Sequence, residues 1–249
     1  EPEAIASRLG IDPEELQRRL EATRAHLFDL RSQRAPPARD DKIVAAWNGL
    51  AIRALCDASR AFGVPHWQKE ALAAGRFLRE HLVAGGRVAR TFAGGRAGGT
   101  GLLEDYAALG LAFLDLYAIS FDGAWYRSAC ELGESILTLF LENDGDAPGR
   151  LYDTASDHEA LIVRPRDLTD NATPSGTALA AELLVRLAEL RNEQWLADVA
   201  RTAVEAVGEA LYRHPLAFGH LLCVADLVVH GAVQVVLAGT PGDVAFERL

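Results

Sequence analysis

The chain has 249 residues, of which 49% are hydrophobic and 24% are charged, and its formal net charge at pH 7 is −10. An acidic chain without a basic stripe repels phosphate backbones, so we expect no nucleic-acid partner. No apolar run has the length of a membrane span and no charged-then-apolar leader opens the sequence, so we expect a cytoplasmic protein without a membrane contact. The sequence begins at Glu1 and lacks methionine, so either the first methionine was removed or the chain is a piece of a longer protein.

The first predicted element is an amphipathic helix over residues 13–31. Asp12 precedes Pro13, and Glu15 follows three positions after Asp12, which is typical of a helix N-terminus.

Three later segments share one pattern, in which a polar residue opens a helix and a tryptophan opens a second helix after a turn. The tryptophan follows Asn48 by 19 residues in the first copy, and it follows Asp105 and Ser175 by 20 residues in the other two. A helix of about fifteen residues and a short turn fill that distance, so each copy predicts an antiparallel helix pair. Such pairs cannot bury their apolar faces alone and must stack on one another.

The segments between the pairs are not helical in pattern. Residues 85–95 predict a small β-hairpin, and residues 149–153 with residues 160–164 predict a second one. A further helix is predicted over residues 216–229 and a terminal strand over residues 234–239. The long loops then all precede the first helix of a pair. The sequence therefore predicts one all-α domain, an incomplete (α/α)6 toroid of antiparallel helical hairpins with small β-hairpins in its rim loops.

Polar residues gather where the first helix of each pair begins, and the repeat places them on one rim around a pocket. Helix N-termini carry partial positive charge and free N–H groups, which suit carboxylates and hydroxyls. The candidate catalytic residues are the carboxylates Asp41, Glu104, Asp105 and Asp170. The candidate binding residues are Asp40, Lys42, Trp47, Asn48, Tyr106, Arg164, Asn171 and Ser175.

Each cluster also has a purely structural interpretation. One carboxylate of each adjacent acidic pair can cap its helix, and the aromatic residues can be ordinary core side chains. Pro174 and Ser175 begin a helix well without any function. The loop that holds Asp167, Asp170 and Asn171 has more polar groups than a cap needs, so it is the strongest functional candidate.

Metal and cofactor chemistry finds no support in the sequence. The seven histidines show no metal-ligand spacing, and only His158 is placed near the rim. The three cysteines stand alone in apolar stretches, so neither a zinc site nor a redox pair is indicated. We therefore expect no metal and no cofactor.

Three motifs in order carry a family resemblance: residues 40–50, residues 103–107 and residues 164–176. With them the chain resembles, over about residues 14–239, the family in which a thioredoxin-like domain precedes an (α/α)6 barrel, related to the spermatogenesis-associated thioredoxin-like protein. The resemblance implies that an upstream thioredoxin-like domain and the first barrel helices are absent here. The barrel of that family is similar to N-acylglucosamine 2-epimerase and to the six-hairpin glycosidases, which bind sugars at the rim.

Two hypotheses follow. In the first, the chain is a carbohydrate-active enzyme, a hydrolase or an epimerase-like isomerase, with two carboxylates beside a sugar. The epimerases use histidines as acid and base, and no histidine of this sequence matches them. In the second, the chain is a non-catalytic binding or scaffold toroid that accompanies the thioredoxin-like domain. In either case the missing hairpins predict a homodimer or an association with that upstream domain.

Overall fold

The structure, a computed structural model, describes four parts of the chain: residues 2–142, 149–159, 162–233 and 239. The chain forms two compact units, one that runs up to Asp41 and one that begins at Lys42. Within the described parts, no helix is both long and apolar enough to cross a membrane. The predicted toroid concerns the second unit, because that unit holds all three helix pairs.

The first unit contains two helices, α1 (Pro2–Leu9) and α2 (Pro13–Ser32). The predicted helix over residues 13–31 is confirmed, and α1 has no counterpart among the predicted elements. The Asp12 carboxylate accepts a hydrogen bond from the backbone N–H of Glu14 at 2.8 Å, which caps α2.

The three predicted helix pairs form the second unit. The first helix of each pair ends on a residue in the left-handed conformation, namely Gly63, Phe121 or Asn192, and the second helix begins two residues later. The helices of the pairs are α3 (Ala45–Phe62) with α4 (Pro65–Leu82), α5 (Leu103–Ser120) with α6 (Gly123–Leu139), and α7 (Gly176–Arg191) with α8 (Gln194–Glu205).

The first helices of the pairs lie inside the unit. α3, α5 and α7 pack side by side, and each packs against its own partner helix. Because α5 and α7 are enclosed in this way, most of their residues are buried. Gly49 allows α3 to come close to α5, since a Cβ atom at this position would lie only 2.8 Å from the backbone carbonyl carbon of Ala108. The core of the second unit therefore lies between these inner helices.

The C-terminal part of the second unit adds α9 (Gly208–Arg213), a 3-10 turn (Pro215–Phe218) and α10 (Gly219–His230). The predicted helix over residues 216–229 is confirmed from Gly219 onward. α10 packs against α7 and α8 and so extends the ring of inner helices. Of the predicted strand over residues 234–239, residues 234–238 lie outside the described residues.

A small sheet stands at the start of the inner helices. Its strands are β1 (Ile43–Val44), β2 (Val83–Ala84), β3 (Arg87–Ala93) and β4 (Arg96–Thr100). β3 pairs antiparallel with each of the other three. The turn between β3 and β4 uses two glycines with positive φ, Gly94 and Gly95, a conformation that other residues adopt only with strain. The predicted hairpin in residues 85–95 is confirmed, and it extends to Thr100.

The second predicted hairpin is not formed by the residues that the structure describes, and residues 160 and 161 of its second strand lie outside them. Leu151 forms an isolated antiparallel bridge with Leu141, and the described residues 162–164 lie in no strand. The Arg164 side chain fixes this loop, because its Nη2 donates to the backbone carbonyl of Thr154 at 2.7 Å and to that of Leu139 at 2.9 Å. The hydrogen bonds of the Arg164 guanidinium, and not those of a second pair of strands, therefore hold this loop in place.

Candidate active site

The inner helices begin next to one another. Asp105, in the first turn of α5, accepts a hydrogen bond at 3.0 Å from the backbone N–H of Ala46 in the first turn of α3. Gly176, which begins α7, lies so near α5 that a Cβ atom there would be 3.1 Å from the backbone nitrogen of Glu104. Polar residues that are far apart in the sequence therefore meet at one end of the second unit.

Asp105 is fully buried and holds these helix starts together. Its Oδ1 accepts from Ala46, and its Oδ2 accepts from the backbone N–H of Leu102 at 2.9 Å and from Arg90 at 3.0 Å. Burial raises the pKa of Asp105, although the donors around it favour the charged form. Because both oxygens are engaged and no surface is exposed, the structure gives Asp105 a structural position, not the open one that its predicted catalytic role requires.

Glu104 takes a different position from its neighbour. Its Oε1 accepts a hydrogen bond at 2.8 Å from the Nη1 atom of Arg90, the same atom that reaches Asp105. The Glu104 side chain is 28% exposed. Glu104 is thus an ion-paired carboxylate that still has access to solvent.

Glu104 lines a cavity of about 210 Å³, which we call the acidic pocket. Two more carboxylates line it, those of Asp153 and Asp167. The backbone N–H of Leu103 donates to the Asp153 carbonyl at 2.9 Å, and the Asp153 carboxylate accepts from the backbone N–H of Asp167 at 2.6 Å. These bonds fasten both loop segments to the start of α5. The other lining residues are Leu102, Thr169, Asn171, Thr173, Pro174, Ser175 and Gly176.

The environment of Asp153 disfavours the charged form of its carboxyl group. Burial raises the pKa of Asp153, and the nearby charges of Asp167 and Glu104 raise it further. The N–H of Asp167 and the guanidinium of Arg166 act in the opposite direction without reversing the shift. The acidic pocket therefore combines a carboxylate paired with Arg90 and a carboxyl group whose charged form is disfavoured.

Asp170 fastens the loop that forms one wall of this pocket. Its Oδ1 accepts from the backbone N–H of Ser175 at 2.8 Å, and its Oδ2 accepts from the backbone N–H of His220 at 2.7 Å. Ser175 in turn caps α7 by accepting from the N–H of Ala178 at 3.2 Å. Asp170 and Ser175 thus fix the loop, and Asn171 faces the pocket from it.

The two aromatic residues predicted to bind a ligand, Trp47 and Tyr106, lie in different environments. Tyr106 is buried and packs edge-on against Phe140, with ring centroids 4.9 Å apart, whereas Trp47 is 64% exposed. Asn48 donates to the carbonyl of Val44, which precedes its own helix, at 2.9 Å. Neither aromatic ring lines the acidic pocket.

A larger cavity of about 720 Å³ lies beside β2, β3 and β4. Tyr106 and His158 line it, together with an ion pair between Arg87 and Asp157. The predicted position of His158 near the rim therefore corresponds to this second cavity. Arg164, which was predicted to bind a ligand, instead lies over the ring of Tyr152 at 4.3 Å and bonds to backbone carbonyls.

The predicted residues around residue 41 belong to different units. Asp40 and Asp41 lie in the first unit, where the Asp41 carboxylate pairs with Arg39. Lys42 opens the second unit, directly before β1. The acidic pocket is lined by residues of the second unit alone.

Sequence reasoning did not select Asp153 and Asp167 as site residues. Asp167 lies in the loop that the sequence makes the strongest functional candidate, and the excess of polar groups in that loop is the signal that points to it. Asp153 was hidden because residues 149–153 were interpreted as a strand. No group of three or more His, Cys, Asp or Glu side chains suited to a metal ion occurs among the residues that the structure describes.

An ionic network deeper between the inner helices was also missed. Glu182 of α7 accepts two hydrogen bonds from Arg53 of α3, at 3.0 and 2.5 Å, and lies 2.8 Å from the Nε2 of His220. Asp115 of α5 joins Arg53 at 3.1 Å and Arg186 at 2.6 Å. Burial alone would raise the pKa of Glu182, but the hydrogen bonds from His220 and Arg53 lower it to about 2. The network links four inner helices around one centre.

Stacked helix pairs whose inner helices begin around a polar pocket define an incomplete α/α toroid. The fold is similar to that of a GH76 α-mannanase of Bacteroides thetaiotaomicron, with a TM-score of 0.54 and 12% identity over 71% of this chain and 47% of that chain. It is also similar to the unsaturated glucuronyl hydrolase of Bacillus sp. GL1, with a TM-score of 0.53 and 18% identity over 70% of this chain and 49% of that chain.

The sequence itself is homologous to spermatogenesis-associated protein 20, which confirms the predicted resemblance. The human protein is 30% identical over 95% of this chain, and the rat protein is 30% identical over 96% of it. An uncharacterized protein of Caenorhabditis elegans is 26% identical over 96% of the chain. The chain spans 31% of the length of the human and rat proteins. No protein-family model matches it.

Proposed function

We propose that the chain is a carbohydrate-active enzyme that hydrolyses a glycosidic bond in the acidic pocket. The observation that carries the proposal is that Glu104, Asp153 and Asp167, from three separate segments, line one cavity. Glycoside hydrolysis requires two carboxyl groups, one that gives a proton to the leaving oxygen and one that acts as base or nucleophile. The likeness of the fold to two glycoside-cleaving enzymes supports this class.

The two roles fall to different residues because their environments differ. Asp153 suits the general acid, since burial raises its pKa and keeps the proton on it at higher pH. Glu104 suits the base or nucleophile, since its Oε1 accepts a hydrogen bond from Arg90 at 2.8 Å and its side chain keeps access to solvent. Thr169 and Asn171 in the lining can bond to sugar hydroxyls.

The test is the hydrolysis of a panel of aryl glycosides and disaccharides by the wild type and two variants. Asp153→Asn and Glu104→Gln should each lower kcat by at least about 100-fold, with a smaller effect on KM, because each removes a group that acts in the transition state. Asp153→Asn should also abolish the decrease of kcat at high pH, which reports the loss of the proton from the acid.

Asp57→Asn is the matched control, since Asp57 is exposed on α3 and pairs there with Arg60. Its kcat should equal that of the wild type. An absence of turnover on the whole panel, or full activity of both pocket variants, would contradict the proposal.

A second candidate is a non-catalytic scaffold that serves a thioredoxin-like domain. It is favoured by the engagement of Asp105 and Asp170, whose oxygens are all used to fix helices and loops. A scaffold would bind no sugar of the panel, whereas Asp105→Ala would still lower its stability. Sugar binding that depends on Glu104 or Asp153 would exclude this candidate.

A further inference from the structure

We infer that the acidic pocket accepts an uncharged sugar and rejects sugars that carry a carboxylate or a phosphate. The inference rests on the proposed function, because it names the substrate class of the same site. It goes beyond the likeness of the fold, since one of the two similar solved structures is named as a glucuronyl hydrolase.

The lining of the pocket carries charge of one sign. Three of its described residues, Glu104, Asp153 and Asp167, are acidic, and none of the lining residues that the structure describes is basic. A uronate or a phosphate in this cavity of about 210 Å³ would lie within a few ångströms of the carboxylates of Glu104 and Asp167, while Asp153, as the proposed acid, adds no positive charge to offset them. Like charges at that distance repel strongly where water is partly excluded.

The nearest guanidinium groups are already engaged. Arg90 donates to Glu104 at 2.8 Å and to Asp105 at 3.0 Å, so an incoming anion would have to compete with two carboxylates. Arg166 donates to the backbone carbonyl of Leu151 at 2.8 Å, and burial lowers its pKa. Both groups already donate to other acceptors, so neither offers an incoming carboxylate or phosphate an unengaged bidentate contact.

The uncharged part of the lining suits sugar hydroxyls. Carboxylates accept hydrogen bonds only, and each sugar hydroxyl has one proton to donate. Asn171 adds both a donor and an acceptor, and Thr173 adds a hydroxyl. A neutral sugar therefore satisfies the acidic lining without bringing a second charge to it.

The experiment compares pairs of ligands that differ only at C6. Calorimetric titration would use the methyl glycosides of glucose, mannose and galactose, and those of the corresponding uronic acids. The neutral member of the bound pair should bind at least about tenfold more tightly at low salt. The ratio should decrease as the ionic strength rises, because salt screens the repulsion.

Asp167→Asn isolates the charge. Asn keeps an Oδ1 acceptor for the backbone and side chain of Thr169 and removes one negative charge. This variant should reduce the preference for the neutral sugar, whereas Asp57→Asn on the surface of α3 should leave the preference unchanged.

The outcomes separate the two proposals. A uronate that binds as tightly as its neutral partner, or a preference that Asp167→Asn leaves intact, overturns the charge inference and leaves the sugar enzyme standing. If no member of any pair binds, the proposed function is overturned and this inference with it.

Discussion

The carboxylates at the start of the inner helices differ in environment more than in chemistry. Asp105 and Asp170 use both oxygens to bind backbone N–H groups, so they stabilise the framework. Glu104 and Asp153 keep access to the acidic pocket. The sequence therefore shows where a carboxylate occurs. Its hydrogen-bond partners in the structure distinguish a structural role from a functional one.

The Glu182 network gives a prediction for stability. The carboxylate has a pKa of about 2 in the folded chain against an ordinary value of 4.5, so it stabilises the fold above the ordinary value and ceases to do so as the pH falls towards 2. Glu182→Gln should lower the free energy of unfolding at pH 7 by about 3 kcal/mol, because it removes the buried negative charge that Arg53 and His220 contact and leaves Arg53 with Asp115 alone of its two carboxylates. Urea denaturation at several pH values measures this difference, which should shrink between about pH 5 and pH 2.

Glu134→Gln is the matched control. Glu134 pairs with Arg191 at 3.0 Å, but its side chain is 63% exposed. The change should cost less than about 1 kcal/mol at any pH. If the Glu182 and Glu134 variants were equally stable, the buried network would not be what holds the inner helices together.

At the scale of elements, the contact of α3 with α5 gives a second prediction. A Cβ atom at Gly49 would lie 2.8 Å from the backbone carbonyl of Ala108, which cannot turn away as a side chain can. Gly49→Ala should therefore force the helices apart and lower the free energy of unfolding by about 1–3 kcal/mol. Denaturant unfolding followed by circular dichroism measures the loss.

Gly208→Ala serves as the comparison, since Gly208 begins α9 and a Cβ atom there meets no atom within 4 Å. Alanine favours helix over glycine, so this variant should be as stable as the wild type or slightly more stable. Equal losses in the two variants would mean that the approach of α3 to α5 is not what makes Gly49 necessary.

The helix pairs could be predicted because their signals are local. Each signal lies within a single helix pair. The signals are the polar residue that begins the first helix, the apolar pattern of both helices, and the turn residue between them, such as Gly63 in the first pair and Asn192 in the third. The turn glycines of the β3–β4 hairpin are local signals as well. The pairing of Leu151 with Leu141 and the anchoring of the loop by Arg164 depend on contacts across the fold, which no short-range pattern shows.

The candidate site could be predicted only in part for the same reason. The sequence placed Glu104, Asn171 and Ser175 at helix starts, and the structure finds them in one lining. Asp153 was not predicted, because it lies in residues 149–153, which the sequence pattern assigns to a strand. The different roles of the neighbours Asp105 and Glu104 could not be predicted, because they depend on the hydrogen bonds that Asp105 accepts from Ala46 and Arg90.

At the scale of the whole molecule, the second unit is a stack of helix pairs, and the acidic pocket lies at the end of the unit where its inner helices begin. Four inner helices, α3, α5, α7 and α10, converge on the network of Arg53, Asp115, Glu182 and His220. The loops that carry Asp153 and Asp167 lie at the end where three of these helices begin. The ion pairs between these helices thus stabilise the framework on which the acidic pocket lies, as functional sites require.

The measurement that tests the proposed site most directly is a crystal structure of the chain soaked with a neutral methyl glycoside. We expect the sugar in the acidic pocket, with its hydroxyls within hydrogen-bond distance of Glu104 and Asp153. A sugar bound instead in the larger cavity beside Arg87 and Asp157, or a pocket that stays empty at saturating sugar, would contradict it.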